Sequence, residues 1–509
     1  MHDTPVNNDA TPGAEVHADG PVPVTRIVEA LSAAGLFVSM SPDFPDVLHG
    51  IADDSRKATP GCAFIAVRGH AQDGHDWLPQ AERGGAVCVI LEDSTRTALP
   101  AIVVRDGRRA AAVAAAAFYN WPALEVQLVG VTGTNGKTTT VGLLRHLLDS
   151  DTHPAASIGT LGVLTGSQGD MFPGGDGLTT PGPVELQRLL RALVARGVKS
   201  VVMEVSSHSL DQRRVEGLSF AVALFTNLTR DHLDYHGTME RYLGAKSRLI
   251  GLLARNGTAV VNDDDTAWRD LPAAAHRVSF GLHVGAEVSA RDIVYEAQGS
   301  RFQLVASTGA ASVLLPLIGE FNVSNAVAAA AAALVLNVPL ADVAHKLANA
   351  PQVPGRLEKL RVNPTVLRDY AHTPDSLERA LKAVRPFTGN GDTAGRLIVV
   401  FGCGGDRDRG KRPVMGEIAE RLADHAIVTS DNPRTENPER ILDDIEAGMK
   451  NRGHERIEDR RQAIAHALKM AAANDVILLA GKGHETYQIR GTVSHHFDEK
   501  EIVAELSAS

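Results

Sequence analysis

The sequence has few of the residues and patterns that mark secreted, metal-stapled or nucleic-acid-coating proteins. Its 509 residues include three cysteines, Cys62, Cys88 and Cys403, and no Cys-x-x-Cys pair. A disulfide framework and a zinc site are therefore unsupported, and a reducing cytoplasm is the expected location. The formal net charge of -10 and the absence of a long basic run argue against nucleic acid as a partner.

Long apolar runs are also absent. No stretch approaches the roughly 18 uninterrupted apolar residues of a membrane helix, so no membrane partner is expected. The alanine-rich runs at 110–117 and 326–335 are short and are predicted to be buried helices. Residues 1–23 are rich in Asp, Asn, Pro, Gly and Ala and lack the basic start and apolar core of a signal peptide, so we expect a disordered tail.

The length and the alternation of apolar strands with helical patterns predict an α/β protein of several domains. We expect a small N-terminal α/β domain at 24–123, a central α/β domain with a phosphate loop at 124–354, and a Rossmann-like doubly wound domain at 355–509. In the first domain, Asp53, Ser55 and His70 stand at strand ends, where open sheets bind ligands, although such polar residues are more often plain turn formers.

A glycine-rich turn at 130–140 is the strongest local signal. It follows an apolar run and precedes a helical pattern, and it contains Gly133, Gly136, Lys137 and Thr138. Backbone N–H groups of such a loop close around phosphate oxygens, the lysine neutralises charge, and a threonine hydroxyl can ligate Mg²⁺. Val131 replaces the first glycine of the standard loop, yet the strand-loop-helix context favours a triphosphate site over a simple turn that caps a helix.

The central segment offers further candidates for metal binding. Glu204 ends a strongly apolar strand, where a carboxylate is costly unless paired, so it is a candidate Mg²⁺ ligand or a salt-bridged structural glutamate. The loop at 229–237 holds two histidines and two aspartates without zinc spacing, which favours a hard cation or hydrogen bonding. Lys246 is, by itself, a solvated helix lysine, and Asn322 or Ser324 is a candidate helix cap.

Four strands of the third segment each end in a turn that contains polar or charged residues, at 370–374, 402–407, 431–434 and 481–485. Such turns at the carboxyl edge of one sheet predict a composite ligand site. Arg407 replaces the last glycine of a dinucleotide fingerprint and suits a carboxylate better than a pyrophosphate, so NAD binding is a weak interpretation.

Together these residues resemble the Mur ligases, the ATP-dependent amide-forming enzymes of peptidoglycan precursor synthesis. The resemblance runs from about residue 24 to the end and rests on residues 133–138, 204–208, 227–237, 322–325, 369–374 and 481–485. Residues 431–434, Asp-Asn-Pro-Arg, resemble the signature of members that add meso-2,6-diaminopimelate rather than L-lysine. The implied acceptor is UDP-N-acetylmuramoyl-L-alanyl-D-glutamate, activated as an acyl phosphate, and the protein is expected to be a cytoplasmic monomer.

The resemblance also implies residue roles. The catalytic residues would be Lys137, Lys246 and His232. ATP would bind Gly133, Thr134, Asn135, Gly136, Lys137, Thr138, Thr139, Asn325, Arg356 and Asp369. The UDP-linked substrate would bind Asp53, Ser55, His70, Ala71, Gln72, Thr179, Thr180, Ser206, Gln212 and Arg214. Diaminopimelate would bind Arg407, Asp431, Asn432, Pro433, Arg434, Gly481 and Glu485. Mg²⁺ would bind Thr138, Glu204, His232 and Lys246, the last as the carbamate formed with CO₂.

Two alternatives remain at this point. A folylpolyglutamate-type ligase of the same family shares the phosphate loop and the Asp-Tyr-Ala-His turn, but the long N-terminal domain and residues 431–434 argue against it. A non-catalytic nucleotide-dependent switch would need only the loop and would form no amide.

Overall fold

The computed structural model describes residues 20–69, 72–175, 177–283, 285–296, 299–389, 395–450 and 453–508. They form two compact units. The first runs to Phe280 and includes Ala328–Val338, and the second comprises Gly281–Val327 and the chain from Pro339. None of the helices in these ranges combines the length and apolar character needed to span a bilayer.

The N-terminal part of the first unit is a small α/β layer. Its strands are β1 (Val22–Pro23), β2 (Phe37–Met40), β3 (Val47–Leu48), β4 (Gly50–Ala52), β5 (Cys62–Ile65), β6 (Ala86–Leu91) and β7 (Ala101–Val104), and its helices are α1 (Val24–Ala33), α2 (Leu78–Arg83) and α3 (Gly107–Phe118). The sheet order is β2-β7-β6-β5-β4, parallel except for β2. The alanine-rich α3 is buried along most of its length, because small side chains let it lie close to the core.

Two details of this part differ from the sequence prediction or fall outside the description. Val22 and Pro23 pair with Leu48 and Val47 as a short antiparallel ladder, so the expected tail does not extend to residue 23. Residues 1–19 lie outside the described residues, and disorder there stays a prediction. The three cysteines are buried and unpaired.

The rest of the first unit surrounds a second sheet. Its strands are β8 (Gln127–Thr132), β9 (Ala155–Gly159), β10 (Gly162–Thr165), β11 (Asp170–Phe172), β12 (Ser200–Glu204), β13 (Phe220–Phe225), β14 (Leu253–Asn262) and β15 (His276–Gly281), and its helices are α4 (Lys137–Leu148), α5 (Pro183–Ala195), α6 (Ser207–Asp211), α7 (Leu233–His236) and α8 (Met239–Ser247). Strands β9, β12, β8, β13, β14 and β15 are parallel neighbours in that order. The carboxyl ends of β8, β12 and β13 therefore meet at one edge, where the candidate loops begin.

The second unit contains an antiparallel sheet and a mostly parallel one. The first sheet is β16 (Val288–Glu296), β17 (Gly299–Ala306) and β18 (Gly309–Leu315), followed by α9 (Glu320–Val335), whose last eight residues belong to the first unit, and α10 (Leu340–Ala348). Helix α9 begins at Glu320, so the expected caps Asn322 and Ser324 are wrong. Asn322 lies inside the first turn, where its amide donates to the Ile318 carbonyl at 2.8 Å.

The C-terminal sheet has the doubly wound character predicted from the sequence. Its strands are β19 (Glu358–Arg361), β20 (Thr365–Asp369), β21 (Leu397–Phe401), β22 (His425–Val428), β23 (Glu455–Arg456) and β24 (Val476–Ala480), in the order β19-β20-β24-β21-β22-β23. Helices α11 (Pro374–Val384), α12 (Lys411–Leu422), α13 (Pro438–Glu446), α14 (Arg460–Met470) and α15 (Glu499–Ala508) and the hairpin β25 (Tyr487–Arg490) and β26 (Val493–His496) complete the unit. Separate apolar clusters, one containing α11 and α12 and the other α14 and α15, form its core.

Candidate active site

The phosphate loop lies between β8 and α4, as its glycine spacing predicts. Gly133 and Gly136 have φ angles of 150° and 83°, which residues with a side chain rarely adopt. A Cβ on Gly133 would also overlap Thr226 Oγ1. The loop thus opens directly onto the N-terminus of a 12-residue helix, where free N–H groups and the helix dipole favour an anion.

Two lysines converge on the same carbonyl of this loop. Lys137 Nζ donates to the Gly133 carbonyl at 2.9 Å and to the Thr134 carbonyl at 2.8 Å. Lys246 Nζ, 1% exposed, donates to the Gly133 carbonyl at 2.7 Å. Burial holds the pKa of Lys246 well below its ordinary value, and the charge of Lys137 acts in the same direction. The solvated helix lysine expected from local sequence alone is therefore wrong for Lys246.

Glu204 lies at the carboxyl end of β12 beside the start of α4. Thr138 Oγ1 donates to its Oε2 at 3.1 Å, and the Thr160 N–H donates to its Oε1 at 2.8 Å. A Cβ on Gly159 would overlap this carboxylate, so the residue before Thr160 must be small. The two oxygen donors predicted for Mg²⁺ are thus adjacent, whereas the salt bridge offered as the alternative is absent from the ion pairs of the described residues.

His232 lies next to a group of aromatic side chains that sequence reasoning missed. Its ring is 4.8 Å from His208 and 6.2 Å from Tyr242, centroid to centroid. Burial, together with the charges of His232 and His236, lowers the pKa of His208 to about 4. Burial also lowers the pKa of His232, with Lys137 and Lys246 contributing. In the described chain no group of three or more His, Cys, Asp or Glu side chains could hold a metal alone.

Tyr242 connects this group to the phosphate loop. Its hydroxyl lies 3.2 Å from Thr134 Oγ1, and the Lys246 ammonium lies 4.6 Å from its ring centroid. Tyr242 and Lys246 are four residues apart on α8 and therefore share a helix face. That spacing was the available signal for Tyr242 in the sequence.

The residues predicted to hold the peptide end of the substrate form one hydrogen-bonded network. Thr180 Oγ1 donates to the Glu204 carbonyl at 2.8 Å and accepts from the Ser206 N–H at 3.1 Å. Arg214 donates to the Thr180 carbonyl at 3.1 Å and to Gln212 Oε1 at 2.6 and 3.0 Å. Thr179 joins through its hydroxyl, 3.2 Å from that of Thr160. These side chains are therefore positioned before any substrate arrives.

The residues predicted for the uridine end are less closely grouped. Ser55 Oγ donates to Gln80 Oε1 at 3.0 Å, which is a structural contact within the layer. Asp53 lies close to Gly182, where an added Cβ would be 3.3 Å from Asp53 Oδ2. Burial lowers the pKa of Arg214, and the charge of Asp53 opposes this shift. The carbonyl of Gln72 accepts from the Gly69 N–H at 2.8 Å. His70 and Ala71 lie outside the described residues.

In the second unit, Arg356 and Asp369 lie on neighbouring segments. The Leu357 N–H donates to Asp369 Oδ2 at 2.8 Å, and the Arg356 guanidinium lies 5.0 Å from the ring centroid of Tyr370. Burial raises the pKa of Asp369 to about 6, although the charge of Arg356 opposes the shift. Asn325 contacts Asn322 Oδ1 at 3.4 Å. These three belong to the second unit and the phosphate loop to the first, so their joint binding of ATP stays a prediction.

The turns after β22 and β24 bring two carboxylates together. Asn432 Nδ2 donates to Glu485 Oε2 at 2.8 Å, and Lys482 Nζ lies 3.5 Å from Asp431 Oδ1 and 3.4 Å from Glu485 Oε2. Burial raises the pKa of Glu485, the Lys482 charge lowers it, and the Asp431 charge raises it. Gly481, at φ 119°, would place a Cβ 3.8 Å from the Asp431 carboxyl group.

The two predicted arginines flank Gly404. A Cβ there would lie 2.9 Å from Arg434 Nη1 and 3.8 Å from Arg407 Cγ, so a side chain would crowd both. Arg434 has a φ of 51° and donates to the Gly405 carbonyl at 2.9 Å. A Cβ on Gly405 would overlap the Pro433 carbonyl, so this turn depends on glycine at both positions. The structure thus brings Arg407 and Arg434, which belong to two different turns, close to the same glycine.

Comparisons with known proteins agree with this geometry. Three family models match: "Mur ligase family, catalytic domain" over residues 47–119, "Mur ligase middle domain" over 131–333, and "Mur ligase, glutamate ligase domain" over 355–483. With the parallel sheets they confirm the predicted α/β fold class and its three domains, while the boundaries at 124 and 355 stay predictions.

Similar proteins cover nearly the whole chain. A UDP-N-acetylmuramoyl-L-alanyl-D-glutamate--2,6-diaminopimelate ligase of Gloeobacter violaceus is 44% identical over 492 residues, covering 95% of this chain and 98% of that protein. A protein of the same name from Bacillus cereus is 42% identical over 484 residues, covering 92% and 97%. A solved structure of a ligase with this name is 34% identical, with a TM-score of 0.66 and coverage of 92% and 96%.

Proposed function

The chain belongs to the Mur ligase family, and we propose that it joins meso-2,6-diaminopimelate to UDP-N-acetylmuramoyl-L-alanyl-D-glutamate and converts ATP to ADP and phosphate. The observation that carries the proposal is that the turns of the second unit bring two arginines close together and two carboxylates close together. They occur in a chain 44% identical to a ligase of that name. Because both ATP and UDP-linked precursors are cytoplasmic compounds, we place the reaction in the cytoplasm, and we expect a monomer.

The first half of the reaction activates a carboxylate, which by itself is a poor electrophile. An oxygen of the substrate's terminal carboxylate attacks the γ-phosphorus of ATP, the bond to the ADP oxygen breaks, and an acyl phosphate forms. Lys137, whose ammonium already lies among the loop carbonyls, stabilises charge on the transferred phosphoryl group. The N–H groups at the start of α4 hold the remaining phosphates.

The second half forms the amide. The neutral amine of diaminopimelate attacks the acyl carbonyl, and the tetrahedral intermediate collapses with loss of phosphate. Holding both reactants in position supplies much of the rate, since it replaces a bimolecular encounter. Asp53, Ser55, His70, Ala71 and Gln72 would hold the uridine end of the acceptor. The network of Thr179, Thr180, Ser206, Gln212 and Arg214 would hold its peptide end.

The residues of the first unit fit a Mg²⁺ ion and a carbamate. Thr138 and Glu204 present adjacent oxygens, and His232 supplies a ring nitrogen with a lowered pKa. Mg²⁺ would neutralise phosphate charge when bound. Lys246 reacts with CO₂ only as a neutral amine, and its burial favours that form. A carbamate nitrogen keeps one N–H, which could still donate to the Gly133 carbonyl.

Selection of diaminopimelate over lysine would rest on its second carboxylate. Arg434 and Arg407 would bind that group, with Asn432, Pro433 and Gly481 shaping the turn. Asp431 and Glu485 would accept the ammonium beside it. Lysine has the ammonium but lacks the carboxylate, so it would leave the arginines without their partner.

The test is detection of the tripeptide product by mass spectrometry, with diaminopimelate and lysine supplied separately. Wild-type protein should form product with diaminopimelate and little with lysine. Arg434→Lys keeps a cation but loses the planar fork, so kcat/KM for diaminopimelate should fall by about 10- to 100-fold while lysine is little affected. Arg409→Lys, at a 71% exposed arginine of the same region, is the matched control.

Three outcomes would overturn the proposal. Equal turnover of lysine and diaminopimelate by wild type would remove the claimed specificity. Release of phosphate without any amide product would favour the nucleotide-dependent switch, and product formed with glutamate on a folate acceptor would favour the folylpolyglutamate-type ligase.

A further inference from the structure

Lys482 is a fully buried lysine that none of the steps above uses. It is 0% exposed and lies between β24 and the hairpin β25–β26. Its ammonium donates to the Tyr487 carbonyl at 2.6 Å and to Asn432 Oδ1 at 3.0 Å, and it also lies 3.4 Å from Glu485 Oε2 and 3.5 Å from Asp431 Oδ1. Its three N–H groups therefore face four oxygens, three of which belong to residues of the candidate amino-acid site.

The contacts of Lys482 fix the orientation of Asn432. Asn432 Oδ1 accepts from both Lys482 Nζ and the Ile489 N–H, each at 3.0 Å. With its oxygen held on that side, the amide must turn its NH₂ group toward Glu485, where Nδ2 donates to Oε2 at 2.8 Å. Lys482 thus acts on Glu485 twice, directly through charge and indirectly through Asn432.

Lys482 also sets the charge of the cluster. The side chains of Asp431 and Glu485 are 10% and 14% exposed. Asp431 Oδ1 has no hydrogen bond and lies 3.5 Å from the Lys482 ammonium. Two buried carboxylates without a cation would repel, and one would take up a proton. With Lys482 the three groups carry one net negative charge, which one ammonium can neutralise.

We propose, on the basis of the proposed function, that Lys482 is a positioning residue of the amino-acid site. It holds Asn432 and Glu485 in place and leaves the cluster with a single negative charge for one substrate ammonium. The arginines at Gly404 are then free to bind the neighbouring carboxylate. Lys482 thus sets the net charge of the site that matches the ammonium of the bound amino acid.

The groups that act on Glu485 come from several elements. Lys482 lies on its own turn, Asp431 and Asn432 follow β22, and Tyr370 and Tyr487 lie after β20 and on β25. The Asp431 charge and burial both raise the pKa of Glu485, and Lys482 opposes them. Removing Lys482 should therefore keep Glu485 protonated to higher pH and weaken its hold on an ammonium.

The test is Lys482→Met, which keeps the chain length and removes the charge. At pH 7 the KM for diaminopimelate should rise about tenfold or more, with the KM values for ATP and the UDP-linked acceptor changed less than twofold. As the pH rises, the KM of the variant should fall more steeply than that of wild type, because Glu485 regains its charge only at higher pH once Lys482 is removed. Lys500→Met, at an exposed lysine, is the control.

A charge-balance variant separates positioning from simple structural support. Lys482→Met with Asp431→Asn removes one cation and one anion, so the cluster again carries one negative charge. Because Glu485 then has no second carboxylate beside it, the KM of this double variant should depend on pH no more steeply than that of wild type. Equal rises in all three KM values in the single variant, or a pH dependence of the double variant as steep as that of the single variant, would overturn the proposal. Failure of wild type to form the tripeptide would instead overturn the proposed function.

Discussion

Replacing Gly133 by alanine tests whether the phosphate loop depends on the geometry described above. The residue has a φ of 150°, and an added Cβ would overlap Thr226 Oγ1. That hydroxyl is held in place, because it donates to the Asn135 carbonyl at 2.7 Å and lies 3.3 Å from the Thr132 carbonyl. The methyl group therefore cannot be accommodated without moving either the loop or Thr226.

The cost can be estimated from its two parts. Alanine in a backbone region that is nearly restricted to glycine costs about 1–3 kcal/mol. Rotating Thr226 away gives up a hydrogen bond worth about 1 kcal/mol. The sum is a destabilisation of about 2–4 kcal/mol. If the loop moves instead, the carbonyl that accepts from both Lys137 and Lys246 is displaced.

Urea denaturation and steady-state kinetics measure the two consequences. Gly133→Ala should lower the unfolding free energy by that amount and raise the KM for ATP at least tenfold. Adding Thr226→Ala should bring the KM for ATP back toward the wild-type value, because the overlap is relieved. It should leave the unfolding free energy lowered by about 2–4 kcal/mol, because it removes the same hydrogen bond and the backbone strain remains. Gly251→Ala, where a Cβ meets open space, is the control. A single variant within 1 kcal/mol of wild type and with an unchanged KM would refute the reasoning.

Two further predictions follow from buried ionisable groups. Lys246→Ala should abolish most ligase activity while ATP still binds, and intact wild-type protein should show the mass of one added CO₂ that acid removes; full activity of the variant would contradict the carbamate. Burial raises the pKa of Asp369 from 3.8 to about 6. The folded state therefore binds an extra proton in this window, and its stability falls as pH rises from 4 to 6, by an amount on the order of 3 kcal/mol. Asp369→Asn should remove this dependence, so that the unfolding free energy of the variant, measured by urea denaturation, rises relative to that of wild type between pH 4 and pH 7. The same pH dependence of the unfolding free energy in both proteins would contradict the prediction.

Much of the fold followed from local pattern. The strand-loop-helix around Lys137 was predictable because glycine spacing, an apolar run and a helical repeat all agree there. The turns of the C-terminal sheet were predictable as a shared site, since parallel strands bring their carboxyl ends to one edge. β20, β24, β21 and β22 are indeed consecutive neighbours in the sheet.

The remaining features depend on which elements pack together. Lys246 was predicted to be solvated, because the sequence of its helix does not show that the phosphate loop covers it. Its burial becomes evident only from the contact of its ammonium with the Gly133 carbonyl. Lys482 stands in a turn that was recognised, yet its role depends on β25 and on Asn432. The prediction of Asn322 as a cap is wrong because the helix begins at Glu320, and the Asn322 side chain donates back to the Ile318 carbonyl.

The shared acceptor of Lys137 and Lys246 also bears on the carbamate. Two ammonium groups on one carbonyl repel each other, and little solvent reaches Lys246 to screen them. Loss of the proton from Lys246 relieves this repulsion, and the resulting neutral amine is the form that reacts with CO₂. A carbamate there would be anionic, so the repulsion between the two side chains would become an attraction. Burial penalises the ammonium and the carbamate alike, so it is the charge of Lys137 that would favour the carbamate over the ammonium at Lys246.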